Sequence, residues 1–149
     1  MRFILAILML TVCFLSLPSF AALSNANNPH LVCVPMGSLS ADGVVLGAAS
    51  AKGMEAQSAY LVSAAGIAAS NSDYAILNIK KGSTILASLD TRAAGQGAVT
   101  ANVAKAMSMV SAEKSISAGA TVSVEYDETD TGTVVALSGA VVCLQYAVK

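Results

Sequence analysis

The sequence predicts an all-β fold, an antiparallel, jelly-roll-like β-sandwich of about eight strands that follows an N-terminal signal peptide helix. Short runs of β-branched and apolar residues alternate with glycine-containing turns along most of the chain. The chain shows no convincing alternation of strands and helices, the pattern typical of a parallel sheet. Its 149 residues are enough for one domain with a substantial buried core.

The pattern of residues 1–21 predicts a secretory signal peptide. Arg2 precedes an apolar run from Phe3 to Leu17, and Pro18 and small residues follow, with cleavage expected after Ala21. The run of about 15 residues is shorter than the roughly 20 that span a bilayer, so a retained anchor is the weaker alternative. We therefore expect a polar leader over 22–30 and a single sandwich domain over 31–149. The expected location is secreted, periplasmic or extracellular, with no membrane contact after cleavage.

Two cysteines remain once the signal peptide, with Cys13, is removed. Cys33 and Cys143 lie in apolar, strand-like runs near the two ends of the mature chain. Exported chains fold where disulfides persist, so we predict a Cys33–Cys143 disulfide that joins the first and last strands. Two buried free thiols are the alternative.

The central element is a hairpin within Asp73–Asp90, where two apolar runs flank a Lys-Lys-Gly-Ser break. Gly82 supplies the positive φ that a tight reversal needs. Thr121–Asp127 alternates polar and apolar residues, as a strand with one wet face does. The further predicted strands are Leu31–Val34, stopped by Pro35, then Gly43–Ala48, Gln57–Ser63 and Thr133–Val148.

For two segments, the sequence pattern is compatible with more than one secondary structure. Ala98–Ser111 combines helical spacing with partial alternation, so a strand is favoured over a helix by a narrow margin. Ser138-Gly139 interrupts the last run, which is either one bulged strand or a final hairpin.

Composition argues against a nucleic-acid partner. The formal net charge is −1 and the eight Lys and Arg residues are scattered. We interpret Lys80-Lys81 as a solvated turn, although paired lysines could meet an acidic patch on a neighbouring copy.

Candidate catalytic groups are few, so we expect no enzyme and no cofactor. His30, the only histidine, follows Pro29 in the polar leader and is interpreted as an exposed loop residue. Ser111-Ala112-Glu113-Lys114 matches a Ser-x-x-Lys pattern, but neither Ser-Asp-Asn nor Lys-Thr-Gly accompanies it, so a polar turn is the simpler interpretation.

One acidic cluster is a weak candidate for a metal site. Glu125, Asp127, Glu128 and Asp130 lie within six positions, followed by Gly132. Their spacing does not match an EF-hand loop, so a solvated hairpin tip is favoured over a loop-borne calcium site.

The region Ala59–Val148 contains a series of β-turn-β motifs: Ala65–Tyr74 leading into Ile76–Ile79, Leu86–Thr91, the stretch Ser117–Val124, and Thr131-Gly132-Thr133. In the order of these motifs the region resembles small jelly-roll proteins that decorate bacteriophage heads or form virion fibres. The resemblance implies a non-enzymatic protein that works by assembly or adhesion.

The function expected from the sequence is therefore that of an exported structural or adhesive module that self-assembles or coats a particle or cell surface. A bacteriophage virion protein, for capsid decoration or a fibre, is the first alternative. A calcium-dependent ligand-binding module that uses Glu125–Asp130 is the second.

Overall fold

The structure is a computed structural model that describes residues 29–39, 43–49, 52–129, 131 and 135–149, with the backbone alone described over 43–49. All pairings between its ten strands are antiparallel. The strands are β1 His30–Leu39, β2 Gly43–Ala49, β3 Met54–Val62, β4 Tyr74–Lys81, β5 Thr84–Asp90, β6 Lys105–Ala106, β7 Ser108–Met109, β8 Ser115–Ile116, β9 Thr121–Thr129 and β10 Leu137–Val148.

The strands form two five-stranded sheets, which confirms the predicted all-β sandwich. The first sheet has the order β1-β10-β3-β6, with β8 also paired to β3, and the second has the order β2-β9-β4-β5-β7. Early strands therefore pair with late ones: β1 with β10, β2 with β9, β3 with β6 and β8, and β4 with β5. A long antiparallel ribbon wrapped in this way is a jelly roll.

The predicted central hairpin lies at the tip of that ribbon. β4 and β5 pair from Ile76 opposite Asp90 to Lys81 opposite Thr84. Gly82 turns the chain with a φ of 58°, a conformation that costs glycine little. The hairpin prediction is thus confirmed.

The core lies between the sheets and consists mainly of aliphatic side chains. On β9, Val122, Val124 and Tyr126 are buried between the sheets, while Glu125 and Asp127 project from the other face. This is the alternation predicted from Thr121–Asp127. The largest fully buried side chains are Tyr126, Leu61, Leu77, Ile79, Leu86, Leu89, Ile116 and Leu137.

The segment with open secondary structure, Ala98–Ser111, contains no α-helix. It forms turns and the two short strands β6 and β7, and is followed by a single 3₁₀ turn at Ser111–Glu113. The favoured strand interpretation is therefore correct only for short pieces. The tertiary partners override the helical spacing, because this segment bonds to two different sheets in succession.

The last run forms one strand. β10 continues from Leu137 to Val148, and its pairing with β3 shifts register between Gln145 and Tyr146. The bulged strand is thus the correct alternative for the described residues, since 132–134 lie outside them.

The predicted disulfide is present. Cys33 and Cys143 are directly opposite each other on β1 and β10, and the bond joins residues 110 positions apart. It therefore ties the first strand of the roll to the last.

Candidate functional site

One long side of the sandwich is closed by the segment 105–116. The Met107 N–H donates to the Ala59 carbonyl of β3 at 2.9 Å, and the Val110 N–H donates to the Leu86 carbonyl of β5 at 2.9 Å. The segment returns to β3 as β8. The segment therefore connects the two sheets along this side through main-chain hydrogen bonds.

The opposite side of the sandwich is formed by one edge strand from each sheet. Within the described part of the chain, β1 pairs only with β10, and β2 pairs only with β9. Both outermost strands lie on this side, one in each sheet. An edge strand presents main-chain donors and acceptors to whatever approaches it.

The hydrogen-bond pattern shows which β1 groups face outward. The Ala59 carbonyl bonds to Met107, so the main-chain groups of the next residue, Tyr60, face β10. Cys143 is opposite Tyr60, so the N–H and C=O of Cys143 face β3 and not β1. Cys33 and Cys143 are therefore a non-hydrogen-bonded pair, and the Cys33 N–H and C=O face away from β10.

The separation of these two residues supports the same assignment. Their Cα atoms are 4.1 Å apart. Non-hydrogen-bonded antiparallel pairs are about 4.5 Å apart and hydrogen-bonded pairs about 5.5 Å. Because direction alternates along a strand, the main-chain groups of Leu31 and Pro35 also face outward.

This arrangement corrects the prediction that Pro35 ends the first strand. β1 continues through Pro35 to Leu39. The ladder to β10 loses no donor at Pro35, because the position of the missing N–H faces away from β10. Proline inside a strand therefore marks an edge here.

The first half of β1 lacks the usual protection of an edge strand. His30–Leu39 contains no charged residue, and the Leu31 side chain is 55% exposed. The second half carries Pro35 and a register irregularity around Gly37, whose φ is 68°. Charges, prolines and bulges are the features that normally prevent edge pairing. His30–Val34 is thus a candidate surface for strand pairing, which we call the β1 edge.

β2 presents a similar sequence at the edge of the second sheet. Gly43–Ala49 also contains no charged residue. Its side chains lie outside the described part of the structure.

The predicted carboxylates are divided between the two faces of β9. Glu125 and Asp127 project outward, whereas the Glu128 Oε1 accepts a hydrogen bond from the Val135 N–H at 2.7 Å. The Lys80 Nζ is 2.6 Å from Glu125 Oε2. Asp130 lies outside the described residues. Among the residues that the structure describes, no three His, Cys, Asp or Glu side chains form a group able to hold a metal ion.

Lys80 and Lys81 belong to β4 and not to a solvated turn. Lys81 Nζ is 2.9 Å from Glu113 Oε2 and donates to the Ser115 carbonyl at 2.7 Å. The lysines therefore meet carboxylates of their own chain. In the Ser-x-x-Lys pattern, Ser111 begins the 3₁₀ turn and is exposed, in keeping with the interpretation as a polar turn.

His30 is not an exposed loop residue, which corrects the prediction. It is the first residue of β1, is half-buried, and stacks on Tyr146 with ring centroids 5.5 Å apart. Its Nε2 is buried and has no hydrogen-bond partner among the described residues. Its register position opposite Tyr146 explains this placement.

A shallow cleft of about 270 Å³ lies at one end of the sandwich and is lined by Gly66, Ile67, Ser70, Asp73 and Val135. Ligand pockets are commonly about 300–1,000 Å³. The Asp73 Oδ1 already accepts hydrogen bonds from the Thr131 N–H at 2.7 Å and from its hydroxyl at 3.1 Å. The cleft is therefore a weaker candidate than the β1 edge.

Within the described residues, no helix is long and apolar enough to cross a bilayer.

The β1 edge is the feature that sequence reasoning missed. The sequence predicts a strand over Leu31–Val34, but neither the start of that strand at His30 nor its position at the edge of the sheet. The available signal was Pro35, because proline within a charge-free strand indicates an edge.

Comparison with known proteins finds no family model, no curated protein and no solved structure that matches this chain.

Proposed function

We propose that the protein is an exported, non-enzymatic structural module that assembles with copies of itself or on a surface. The observation that carries the proposal is the β1 edge, an exposed and charge-free strand with outward main-chain groups at Leu31 and Cys33. Nothing in its sequence repels a neighbouring strand, and natural proteins usually protect such edges.

Two further features support assembly. The segment 105–116 bonds to both sheets on the side away from β1. The edge strands β1 and β2 therefore lie together on the other side, where a second chain could pair with them. The disulfide ties β1 to β10 next to the edge and reduces the conformational freedom of the strand that would pair. Less ordering entropy is then lost on association.

A virion role is the second candidate, favoured by the jelly-roll topology. Jelly rolls occur in viral capsid proteins, but they also occur in lectins and enzymes, so the fold gives only an analogy. Cell fractionation distinguishes the two roles. A virion protein is recovered with particles, whereas an exported module is recovered from the periplasm or the medium.

The calcium-dependent module stays a prediction with its own test. Binding to the folded chain would raise the melting temperature in millimolar calcium. No shift would exclude it, and a shift abolished by Asp127→Asn would support it.

Size-exclusion chromatography with light scattering tests the assembly proposal on the mature, oxidised chain beginning at Ala22. We expect the mass to rise with concentration. Leu31→Lys places a like charge at the β1 edge of every copy and should shift the equilibrium to the monomer.

Val103→Lys is the matched control, because Val103 is 53% exposed and lies outside the β1 edge. It should leave assembly unchanged. Equal loss of assembly in both variants would indicate a general charge effect, and a monomeric wild-type chain at every concentration would contradict the proposal.

A further inference from the structure

We propose that two copies of the chain pair through their β1 edges as antiparallel strands, related by a two-fold axis through Val32. This inference rests on the proposed self-assembly and names the surface and the partner. The pairing would join the two first sheets into one continuous sheet across the dimer.

The outward main-chain groups specify what fits there. Leu31 and Cys33 each present an N–H and a C=O on the side away from β10, as the pairing of Cys143 with Tyr60 requires. A β-strand is the structure that satisfies an alternating row of donors and acceptors. The occupant is therefore an extended main chain.

The two prolines at the ends of this surface define the register. Pro29 and Pro35 lie three residues on either side of Val32 and lack N–H groups. A two-fold axis through Val32 places Leu31 opposite Cys33 of the second copy, which gives four main-chain hydrogen bonds in two reciprocal pairs. Each proline then lies opposite the other proline, so no unpaired N–H remains between them.

The side chains suit an identical partner. In a two-fold interface the same strand surface is present on both sides, so a charge on the strand would lie near the like charge of the second copy. His30–Leu39 contains no Asp, Glu, Lys or Arg, and the exposed Leu31 would pack beside Cys33 of the second copy on the outer face. The second copy is thus a partner that meets no charge repulsion at this edge.

The pattern of amide protection tests the pairing directly. In hydrogen–deuterium exchange with residue-level readout, the Val32 and Val34 amides bond to β10 and should be protected at all concentrations. The Leu31 and Cys33 amides should exchange rapidly in the dilute monomer and at least tenfold more slowly in the assembled protein. No added protection at Leu31 and Cys33 in an assembled sample would overturn the proposed pairing.

Two substitutions of Leu31 distinguish the contribution of its main-chain N–H to assembly from that of its side chain. Leu31→Pro removes an outward N–H but no bond to β10, so the fold should persist and the dissociation constant should rise at least tenfold. Leu31→Ala keeps the N–H and should weaken assembly less. Circular dichroism confirms that each variant is folded, and the exchange experiment on the wild-type chain needs neither variant.

The outcomes distinguish this inference from the proposed function. Assembly that Leu31→Pro leaves unchanged, or that both substitutions weaken equally, would overturn the β1 pairing but keep self-assembly. A wild-type chain that stays monomeric would overturn both.

Discussion

Cys33 and Cys143 lie directly opposite each other on neighbouring antiparallel strands, and their disulfide joins the first strand of the jelly roll to the last. The bond closes a loop whose ends are 110 positions apart. In the chain-entropy model, a cross-link over a loop of this length lowers the entropy of the unfolded chain by the equivalent of about 4–5 kcal/mol.

The first prediction concerns this bond. Replacing both residues, Cys33→Ala with Cys143→Ala, should lower the free energy of unfolding by about 4 kcal/mol, because the unfolded chain regains conformational freedom. Urea denaturation of the oxidised wild-type chain and the double variant measures the difference. A loss below about 1 kcal/mol would contradict the stabilising role assigned to the bond.

A second prediction concerns Thr91, a fully buried polar residue just after β5. Its Oγ1 accepts a hydrogen bond from the Ala75 N–H at 2.9 Å and donates to the Ala75 carbonyl at 3.2 Å. Thr91→Val keeps the shape but leaves that buried N–H unpaired, which should cost about 1–3 kcal/mol of stability.

The matched control for this change is Thr84→Val on the exposed start of β5. Surface substitutions of this kind usually change stability by less than about 0.5 kcal/mol. Comparable losses in the two variants, measured by thermal denaturation, would argue against a special role for the Thr91 hydroxyl.

The third prediction concerns Gly95, which lies against Asp90. A Cβ atom at Gly95 would lie 2.8 Å from the Asp90 Cγ and 2.9 Å from its carbonyl oxygen. Gly95→Ala should therefore displace this loop and destabilise the protein by about 1–3 kcal/mol. Gly53→Ala is the control, since its Cβ would be 3.7 Å from the nearest atom, an ordinary contact. If both variants melt at the wild-type temperature, the close approach is not a constraint.

The fourth prediction concerns the pH dependence that Asp90 contributes. The Arg92 guanidinium, which donates hydrogen bonds to this carboxylate, holds the pKa of Asp90 below its ordinary value of 3.8. Because the pKa is lower in the folded than in the unfolded chain, the stabilisation is present above the unfolded pKa. It is lost as pH falls below about 4 towards the folded pKa.

Asp90→Asn should accordingly lower the melting temperature at pH 7, and the difference from wild type should narrow as the pH is taken from 5 to 3. Asp127→Asn, on the exposed face of β9, controls for the change in net charge. A difference that stays constant over this pH range would rule out the Asp90–Arg92 pair as its source.

Local patterns predicted the parts of the fold that depend on neighbouring residues. The β4–β5 hairpin follows from two apolar runs around Gly82, and β9 follows from the alternation of Thr121–Asp127. The Cys33–Cys143 pair follows from the two cysteines that remain if the expected signal peptide is removed. These signals are contained within a few residues of the element that they specify.

The features that escaped prediction depend on distant partners. Met107 and Val110 bond to different sheets, so no single period describes the segment 105–116. The continuation of β1 through Pro35 depends on which side β10 occupies, and sequence order does not reveal that. The division of Glu125 and Glu128 between two faces follows from strand geometry once β9 is seen to extend to Thr129.

The most direct test is light scattering on the oxidised chain that begins at Ala22, over a concentration series that reaches the millimolar range. We predict that the mass of the wild-type chain rises reversibly from the monomer to a dimer or larger assembly. The Leu31→Lys variant should remain monomeric over the same range. A single monomeric mass throughout, with no difference between the wild-type chain and Leu31→Lys, would contradict this prediction.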